Sequence, residues 1–115
     1  KKLDRYVKER QEKAKIYKDI IGTKASCQFT PRGCLHPYFF FGMLIDSQEE
    51  FCKKMYSKGI EVKTWTPVHK QPIYSTKRSY PNADYIAERI VLLPIHNKLN
   101  EEDVKYIAEQ ARSLL

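Results

Sequence analysis

One eight-residue apolar run constrains the fold of this chain more than any other feature. Residues 38–45 read YFFFGMLI, and no charged side chain appears until Asp46. The run is far shorter than the ~20 residues needed to cross a bilayer, and it is apolar on both faces. We therefore expect a central strand that is covered on both sides. Its aromatic residues resemble a base-stacking platform, but such platforms alternate with basic residues, so the core interpretation is favoured.

The residues before this run predict a long helix over 3–21, which Gly22 ends. Arg10 interrupts its apolar stripe. A helix of this length at the start of a small domain needs a surface to pack on, so part of the stripe is expected to face a partner outside the chain. The stripe consists of Leu3, Val7, Ala14, Tyr17 and Ile21.

The remaining elements are predicted from caps and periodicity. Residues 23–35 indicate a loop, Ser47 with Glu50 indicates a capping box at the start of a second helix, and residues 60–64 alternate as a half-buried strand. A short helix follows Pro81, with Ala83, Ile86, Ala87 and Ile90 on one face. Residues 91–93 indicate a strand ended by Pro94, and Asn100 caps a last helix with Val104, Ile107, Ala108, Ala111 and Leu115 buried.

This alternation of helices and strands predicts an α+β fold. We expect a small antiparallel or mixed sheet of about three strands, packed with helices and preceded by the long N-terminal helix. The length of 115 residues fits one domain.

Composition excludes several functional classes. The net charge is +7, from 21 basic and 14 acidic residues, and with no block of like charge we interpret it as a mixed, solvated surface. Alternatively, a missing part of the protein is acidic. The three cysteines lack the even count of a disulfide framework and the spacing of zinc ligands, which favours reduced thiols, no metal and a cytoplasmic location. We expect no signal peptide, no membrane span and no specific binding of nucleic acid.

No catalytic motif is present, and no glycine-rich phosphate loop. One segment is nevertheless rich in chemistry: residues 65–74 read WTPVHKQPIY, with two prolines, a histidine, a lysine and a phenol. Loops held by a scaffold often carry function, and histidine exchanges protons near neutral pH. The alternative is a rigid connector whose His69 packs on Trp65 or Tyr74. His36 and His96 are weaker candidates, as an edge residue and a turn residue.

Five pieces of sequence, in order, resemble the DegT/DnrJ/StrS family of sugar aminotransferases. The pieces are Leu3 to Val7 with Arg10 to Ala14 and Tyr17, Lys58 to Val62, the Pro-x-His loop from Pro67 to Tyr74, Pro81 to Asp84, and Leu92 to Pro94 with Leu99 to Val104. Residues 23–36, with Cys27 and Cys34, match no motif of the family, so the resemblance leaves substrate specificity open.

The resemblance implies a C-terminal small domain (23–115) preceded by an interdomain linking helix (1–22). In this family a large domain, absent here, holds pyridoxal 5'-phosphate through a lysine, and homodimers transfer an amino group, usually from glutamate, to a keto-sugar nucleotide. The chain alone is then expected to lack catalytic and cofactor-binding residues. His69 and Tyr74 are the positions that would contact substrate. The alternative hypothesis is a stand-alone basic module that binds nucleic acid or a phosphorylated sugar.

Overall fold

The computed structural model describes residues 1–74 and 78–115. Within these residues the chain forms four α-helices and three short strands, which confirms the predicted α+β class. In chain order they are α1 (Lys2–Ile21), β1 (Ser26–Cys27), β2 (Phe41–Leu44), α2 (Gln48–Ser57), α3 (Pro81–Ala87), β3 (Ile90–Leu93) and α4 (Glu101–Ser113). Among the described residues, no helix combines the length and the apolar character needed to span a membrane.

The strands form one antiparallel sheet in the order β1-β2-β3. Phe41 pairs with Leu93, and Leu44 pairs with Ile90 on one side and Ser26 on the other. The apolar run therefore supplies the central strand, as its two apolar faces predict.

The core lies on the face of the sheet that α1 and α4 cover. Phe41, Met43 and Val91 project into it and are almost completely buried. The ring of Tyr17 from α1 lies 4.9 Å from that of Phe41, and its hydroxyl donates to the carbonyl of Pro94. Burial raises the pKa of Tyr17, so this hydroxyl keeps its proton and its hydrogen bond.

The central strand is shorter than predicted because the chain bends before Phe41. Tyr38 has a φ of +49°, which is incompatible with an extended strand. The imidazole Nδ1 of His36 accepts a hydrogen bond from the Tyr38 amide at 2.9 Å, and Arg10 donates to the carbonyls of Tyr38 and Phe39. Side chains thus satisfy the polar groups that a longer strand would have paired.

The predicted strand over residues 60–64 is absent from the three-stranded sheet. Residues 60–64 form a single bridge, in which Lys63 exchanges two backbone hydrogen bonds with Leu92, and the chain then leaves the sheet toward Pro67, which has no amide proton. The strand that replaces it is β1, inside the predicted loop 23–35. Two residues are too few for an alternating pattern to reveal a strand.

The apolar stripe of α1 divides into two halves. Ala14, Tyr17 and Ile21 are buried against the domain's own core, whereas Leu3 is 71% exposed and Val7 is half-buried. The expectation that part of the stripe is uncovered within one chain agrees with this arrangement. The predicted short helix after Pro81 is present as α3, but none of its described residues is buried, and Ile86 is exposed.

The predicted capping box of α2 is wrong, although Ser47 is the N-cap residue. The Ser47 backbone (φ −97°, ψ 56°) departs from the extended conformation usual at an N-cap, and its side chain makes no capping hydrogen bond. Glu50 forms an ion pair with Lys54 at 2.6 Å. The cap of α4 is complete: the Asn100 side chain accepts from the Asp103 amide at 2.8 Å, and the Asp103 carboxylate accepts from the Asn100 amide.

This contrast gives a matched pair of variants. Asn100→Ala is expected to lower the free energy of unfolding by about 1 kcal/mol, because it removes the acceptor of an otherwise unpaired helix amide. Ser47→Ala removes no such bond and should change the free energy of unfolding by only about 0.3 kcal/mol. Urea unfolding measures both, and equal losses would show that the α4 cap does not stabilise the chain as the geometry indicates.

Candidate functional site

The Pro-x-His loop is organised by its own backbone. It forms two 3₁₀ turns, Val68–Lys70 and Pro72–Tyr74, and each one begins at or directly after a proline. The Lys70 amide donates to the Pro67 carbonyl at 3.0 Å, and the Tyr74 amide donates to the Gln71 carbonyl at 2.9 Å. The prolines and polar side chains of residues 66–80 predict an ordered loop, of which residues 75–77 lie outside the described residues.

His69 is held by α3. Its Nε2 lies 2.9 Å from Oδ1 of Asp84, its ring is 4.9 Å from that of Tyr80, and its side chain is only 15% exposed. The contacts of His69 are therefore with Asp84 and Tyr80, rather than with the Trp65 or Tyr74 of the connector alternative. Asp84 engages Nε2 and leaves Nδ1 as the other polar atom of the ring.

Asp84 is the charged centre of this cluster. The ammonium of Lys70 lies 3.0 Å from the same carboxylate oxygen that contacts His69. The hydrogen bond from His69, followed by that from Lys70, lowers the pKa of the Asp84 carboxyl below its ordinary value. Asp84 therefore remains a carboxylate at neutral pH and joins the loop to the first turn of α3.

We expect the Asp84 carboxyl to titrate below its ordinary pKa of 3.8. Because the pKa of Asp84 is lower in the folded state than in the unfolded state, its attachment of the loop to α3 stabilises the fold at pH values above the unfolded-state pKa. This stabilisation is lost as the pH falls through the folded-state pKa. His69→Ala should raise the midpoint toward 3.8 more than Lys70→Ala does, since His69 is the larger cause. A carbon-detected NMR titration of the carboxyl group measures this. A larger rise with Lys70→Ala would contradict the assignment.

Tyr74, the second predicted substrate residue, lies at the end of the second turn and is 58% exposed. Within the described part of the chain, no ring contact joins it to His69. The structure therefore places the two residues on one loop without bringing their side chains together. The sequence did not indicate that Asp84 and Tyr80 contact His69 or that Lys70 pairs with Asp84. The acidic residue in the first turn after Pro81 was the available signal, because carboxylates are favoured at a helix start.

A row of aromatic rings connects this loop to α1. Phe39 and Phe40 lie 4.6 Å apart, and Phe40 lies 5.4 Å from Trp65. Arg10 of α1 lies 5.9 Å from the Phe39 ring and donates to the carbonyl of Ile95 at 3.1 Å. Beside this row runs a groove of about 720 Å³. The residue that interrupts the apolar stripe of α1 is thus the one that fixes the aromatic row.

The other candidate residues from the sequence are His36, His96 and the three cysteines. His36 accepts the Tyr38 amide and His96 is an exposed turn residue, as predicted, whose carbonyl accepts from the ammonium of Lys13. The three cysteines are free thiols. Over residues 1–74 and 78–115, no group of three or more potential ligands is arranged to hold a metal ion.

Comparison with known proteins identifies the chain's family. The model of the DegT/DnrJ/EryC1/StrS aminotransferase family matches residues 1–112. The chain belongs to this family. The match includes the Pro-x-His loop and α3, so the His69–Asp84 cluster lies within the part of the chain that the DegT family model covers.

Two curated relatives show how the chain compares in length with other members. It is 24% identical over 116 residues to dTDP-4-dehydro-2,3,6-trideoxy-D-glucose 4-aminotransferase of Saccharopolyspora spinosa, a match that covers 96% of this chain and 30% of the relative. It is 25% identical to UDP-N-acetyl-3-dehydro-alpha-D-glucosamine 3-aminotransferase of Acidithiobacillus ferrooxidans, covering 84% of this chain and 27% of that one. The chain therefore spans about 30% of the length of these DegT-family relatives.

Solved structures of larger proteins share the fold. The aminotransferase TlmJ from Streptoalloteichus hindustanus superposes with a TM-score of 0.89 at 26% identity, over 96% of this chain and 32% of that one. DesV of S. venezuelae gives a TM-score of 0.91 at 20% identity, over 96% of this chain and 32% of its own. The architecture of the DegT-family chain is thus that of one part of larger aminotransferases.

Proposed function

We propose that the chain is the C-terminal small domain of a pyridoxal-phosphate-dependent sugar aminotransferase. The parent enzyme transfers an amino group, from glutamate, to a keto-sugar nucleotide, and works as a cytoplasmic homodimer. The single observation that carries this proposal is the Pro-x-His loop, whose His69 is fixed by Asp84 within a chain of the aminotransferase family.

The described residues do not fit the cofactor itself. The buried lysine, Lys13, is committed to the carbonyl of His96 at 2.9 Å. A phosphate cradle needs glycines whose backbone can approach the ligand closely. Gly42 is instead crowded by the side chain of Ile90, and Gly22, Gly33 and Gly59 stand far apart in the sequence rather than in one glycine-rich loop. In the proposal the large domain of the parent holds pyridoxal phosphate, and this chain covers the substrate side.

Within the parent, His69 and Tyr74 are the residues that we expect to contact substrate. With Nε2 engaged by Asp84, the ring of His69 has a defined orientation, and Nδ1 is the atom left for the sugar or its phosphates. A side chain that is already ordered loses little entropy when the ligand binds. The exposed phenol of Tyr74 offers a second hydrogen bond.

The test is amino transfer by the full-length parent. The enzyme is incubated with pyridoxal phosphate, one amino donor and a panel of keto-sugar nucleotides, and the amino-sugar product is measured by mass spectrometry. Glutamate is the expected donor, with glutamine, alanine and aspartate as comparisons. An enzyme that aminates free keto acids and none of the sugar nucleotides would contradict the proposal.

The alternative of a stand-alone basic module receives less support. On the helices, basic side chains pair with acidic ones four residues away, as in Arg5–Glu9, Lys15–Asp19 and Lys53–Glu49. The family match also extends over almost the whole chain. Any binding of nucleic acid is expected to be weak, non-specific and sensitive to salt.

A further inference from the structure

The cluster around His69 determines which nitrogen of its ring carries the proton. Nε2 lies 2.9 Å from Oδ1 of Asp84, and the ammonium of Lys70 lies 3.0 Å from the same oxygen. A carboxylate only accepts hydrogen bonds, so Nε2 is the donor in this contact. In a neutral imidazole one nitrogen carries the proton and the other holds a lone pair. The hydrogen bond to Asp84 therefore selects the tautomer with the proton on Nε2 and the lone pair on Nδ1.

Two contacts at the start of α3 fix the direction of this lone pair. The His69 ring lies 4.9 Å from the ring of Tyr80, the N-cap residue of α3, while Asp84 holds Nε2. The Asp84 amide donates to the Tyr80 carbonyl at 2.9 Å, so the two residues that hold the imidazole are fixed relative to each other. Nδ1 therefore points in one direction relative to the domain.

The lone pair on Nδ1 is not satisfied by the domain itself. The amides of the two residues that follow His69 donate to carbonyls of the loop, at 3.0 and 3.1 Å. No hydrogen bond joins Nδ1 to any residue within 1–74 or 78–115. In His36, by contrast, Nδ1 accepts from the amide of Tyr38 at 2.9 Å. Nδ1 of His69 is therefore available to a donor that a ligand brings.

We propose that Nδ1 of His69 is a hydrogen-bond acceptor that recognises a hydroxyl group of the sugar, and that it does not bind the phosphates of the substrate. The inference rests on the proposed function, since it names the chemical group that the substrate presents to His69. A sugar hydroxyl donates a hydrogen bond, whereas an ionised phosphate offers only acceptor oxygens, which a lone pair repels. The Asp84 carboxylate behind the ring polarises the imidazole and makes Nδ1 a stronger acceptor. His69 is then a specificity-determining residue for the sugar.

The tautomer is measured by long-range proton–nitrogen correlation NMR of the 115-residue chain with isotope-labelled histidine, at a pH of about 8, where an ordinary imidazole is neutral. The chain supplies its own references. His36 has its lone pair on Nδ1, because that atom accepts from a backbone amide, and the exposed His96 reports an imidazole in water. His69 is expected to match His36, and Asp84→Ala should move its nitrogen resonances toward those of His96. A proton on Nδ1 of His69, in the other tautomer or in an imidazolium ion, would overturn the proposal.

The hydroxyl is identified by combining variants with ligand analogues in the full-length parent. The probes are dTDP-glucose and UDP-glucose, together with analogues in which each hydroxyl of the hexose in turn is replaced by hydrogen, and calorimetry measures their affinities. The unmodified enzyme should bind one deoxy analogue about tenfold or more weakly, because the acceptor is left unpaired. His69→Ala should bind that analogue and the complete sugar nucleotide equally, since the variant and the analogue lose the same contact. His69→Asn, whose amide oxygen can replace Nδ1 as acceptor, should restore part of the discrimination.

His96→Ala is the matched control, because it removes an exposed imidazole outside the cluster and should leave every affinity unchanged. The proposal is wrong if no deoxy analogue is bound more weakly in a way that depends on His69. It is also wrong if His69→Ala weakens dTDP and UDP as much as the sugar nucleotides, since the phosphates would then be the group at Nδ1. Binding does not require amino transfer. A parent that shows the expected binding without transfer therefore refutes only the proposed function, and one that transfers amino groups without it refutes only this inference.

Discussion

Replacement of Phe41 by alanine is expected to lower the free energy of unfolding of this chain by about 3–5 kcal/mol. The Phe41 ring is completely buried on the central strand, between Tyr17 of α1 and Tyr38. Its removal forfeits apolar burial and leaves a cavity at the point where sheet and helices meet, which a close-packed interior fills only in part. A loss of this size approaches the total stability of many small domains.

Phe39→Ala is the matched control, because the same side chain is removed two residues earlier. Its ring is 70% exposed and contacts Phe40 and Arg10 at the surface, so the expected loss is about 1 kcal/mol or less. Urea unfolding followed by circular dichroism measures both variants. If Phe39→Ala were as destabilising as Phe41→Ala, the chain would enter the sheet earlier than Phe41, and the bend at Tyr38 would be wrong.

In the full-length parent, His69→Ala is expected to lower kcat/KM about 10- to 100-fold while the melting temperature changes little. A hydrogen bond to a charged group is worth about 1.5–3 kcal/mol, and about 1.4 kcal/mol corresponds to a factor of ten. The fold should tolerate the change, because Asp84 keeps its ion pair with Lys70 and remains partly solvated. Steady-state kinetics and thermal unfolding are measured on the same preparations.

The variant Asp84→Asn distinguishes the contact of His69 with substrate from the orientation of its ring by Asp84. It keeps the size of the side chain but removes the charge that holds Nε2 of His69, so activity should fall less than in His69→Ala and in the same direction. A variant His69→Ala with normal kinetics and a lower melting temperature would make His69 a structural residue. In that case the connector interpretation of the loop would be correct after all.

The parts of the fold that periodicity and end signals determine were predictable. The helix over 3–21, the cap at Asn100 and the strand ended by Pro94 all lie close to their predicted positions, because each depends on local chemistry. The errors arose where distant groups decide the outcome. Arg10 draws the carbonyls of Tyr38 and Phe39 out of the central strand, and β1 exists only because β2 offers an edge.

The candidate site was likewise predictable only where local sequence determines it. His69 was singled out because its segment is rich in polar chemistry between two prolines and because the loop resembles a family motif, but its partner Asp84 lies 15 residues away and is brought to it only by the fold.

The central claim is that this chain is one domain of an enzyme whose cofactor is held elsewhere in the same protein. Borohydride reduction of the full-length parent with pyridoxal phosphate, followed by peptide mass analysis, tests it most directly. We expect stoichiometric labelling of one lysine outside these 115 residues, and no specific labelling of the isolated chain under the same conditions. Stoichiometric labelling of a single lysine within these 115 residues, in either protein, would contradict the account.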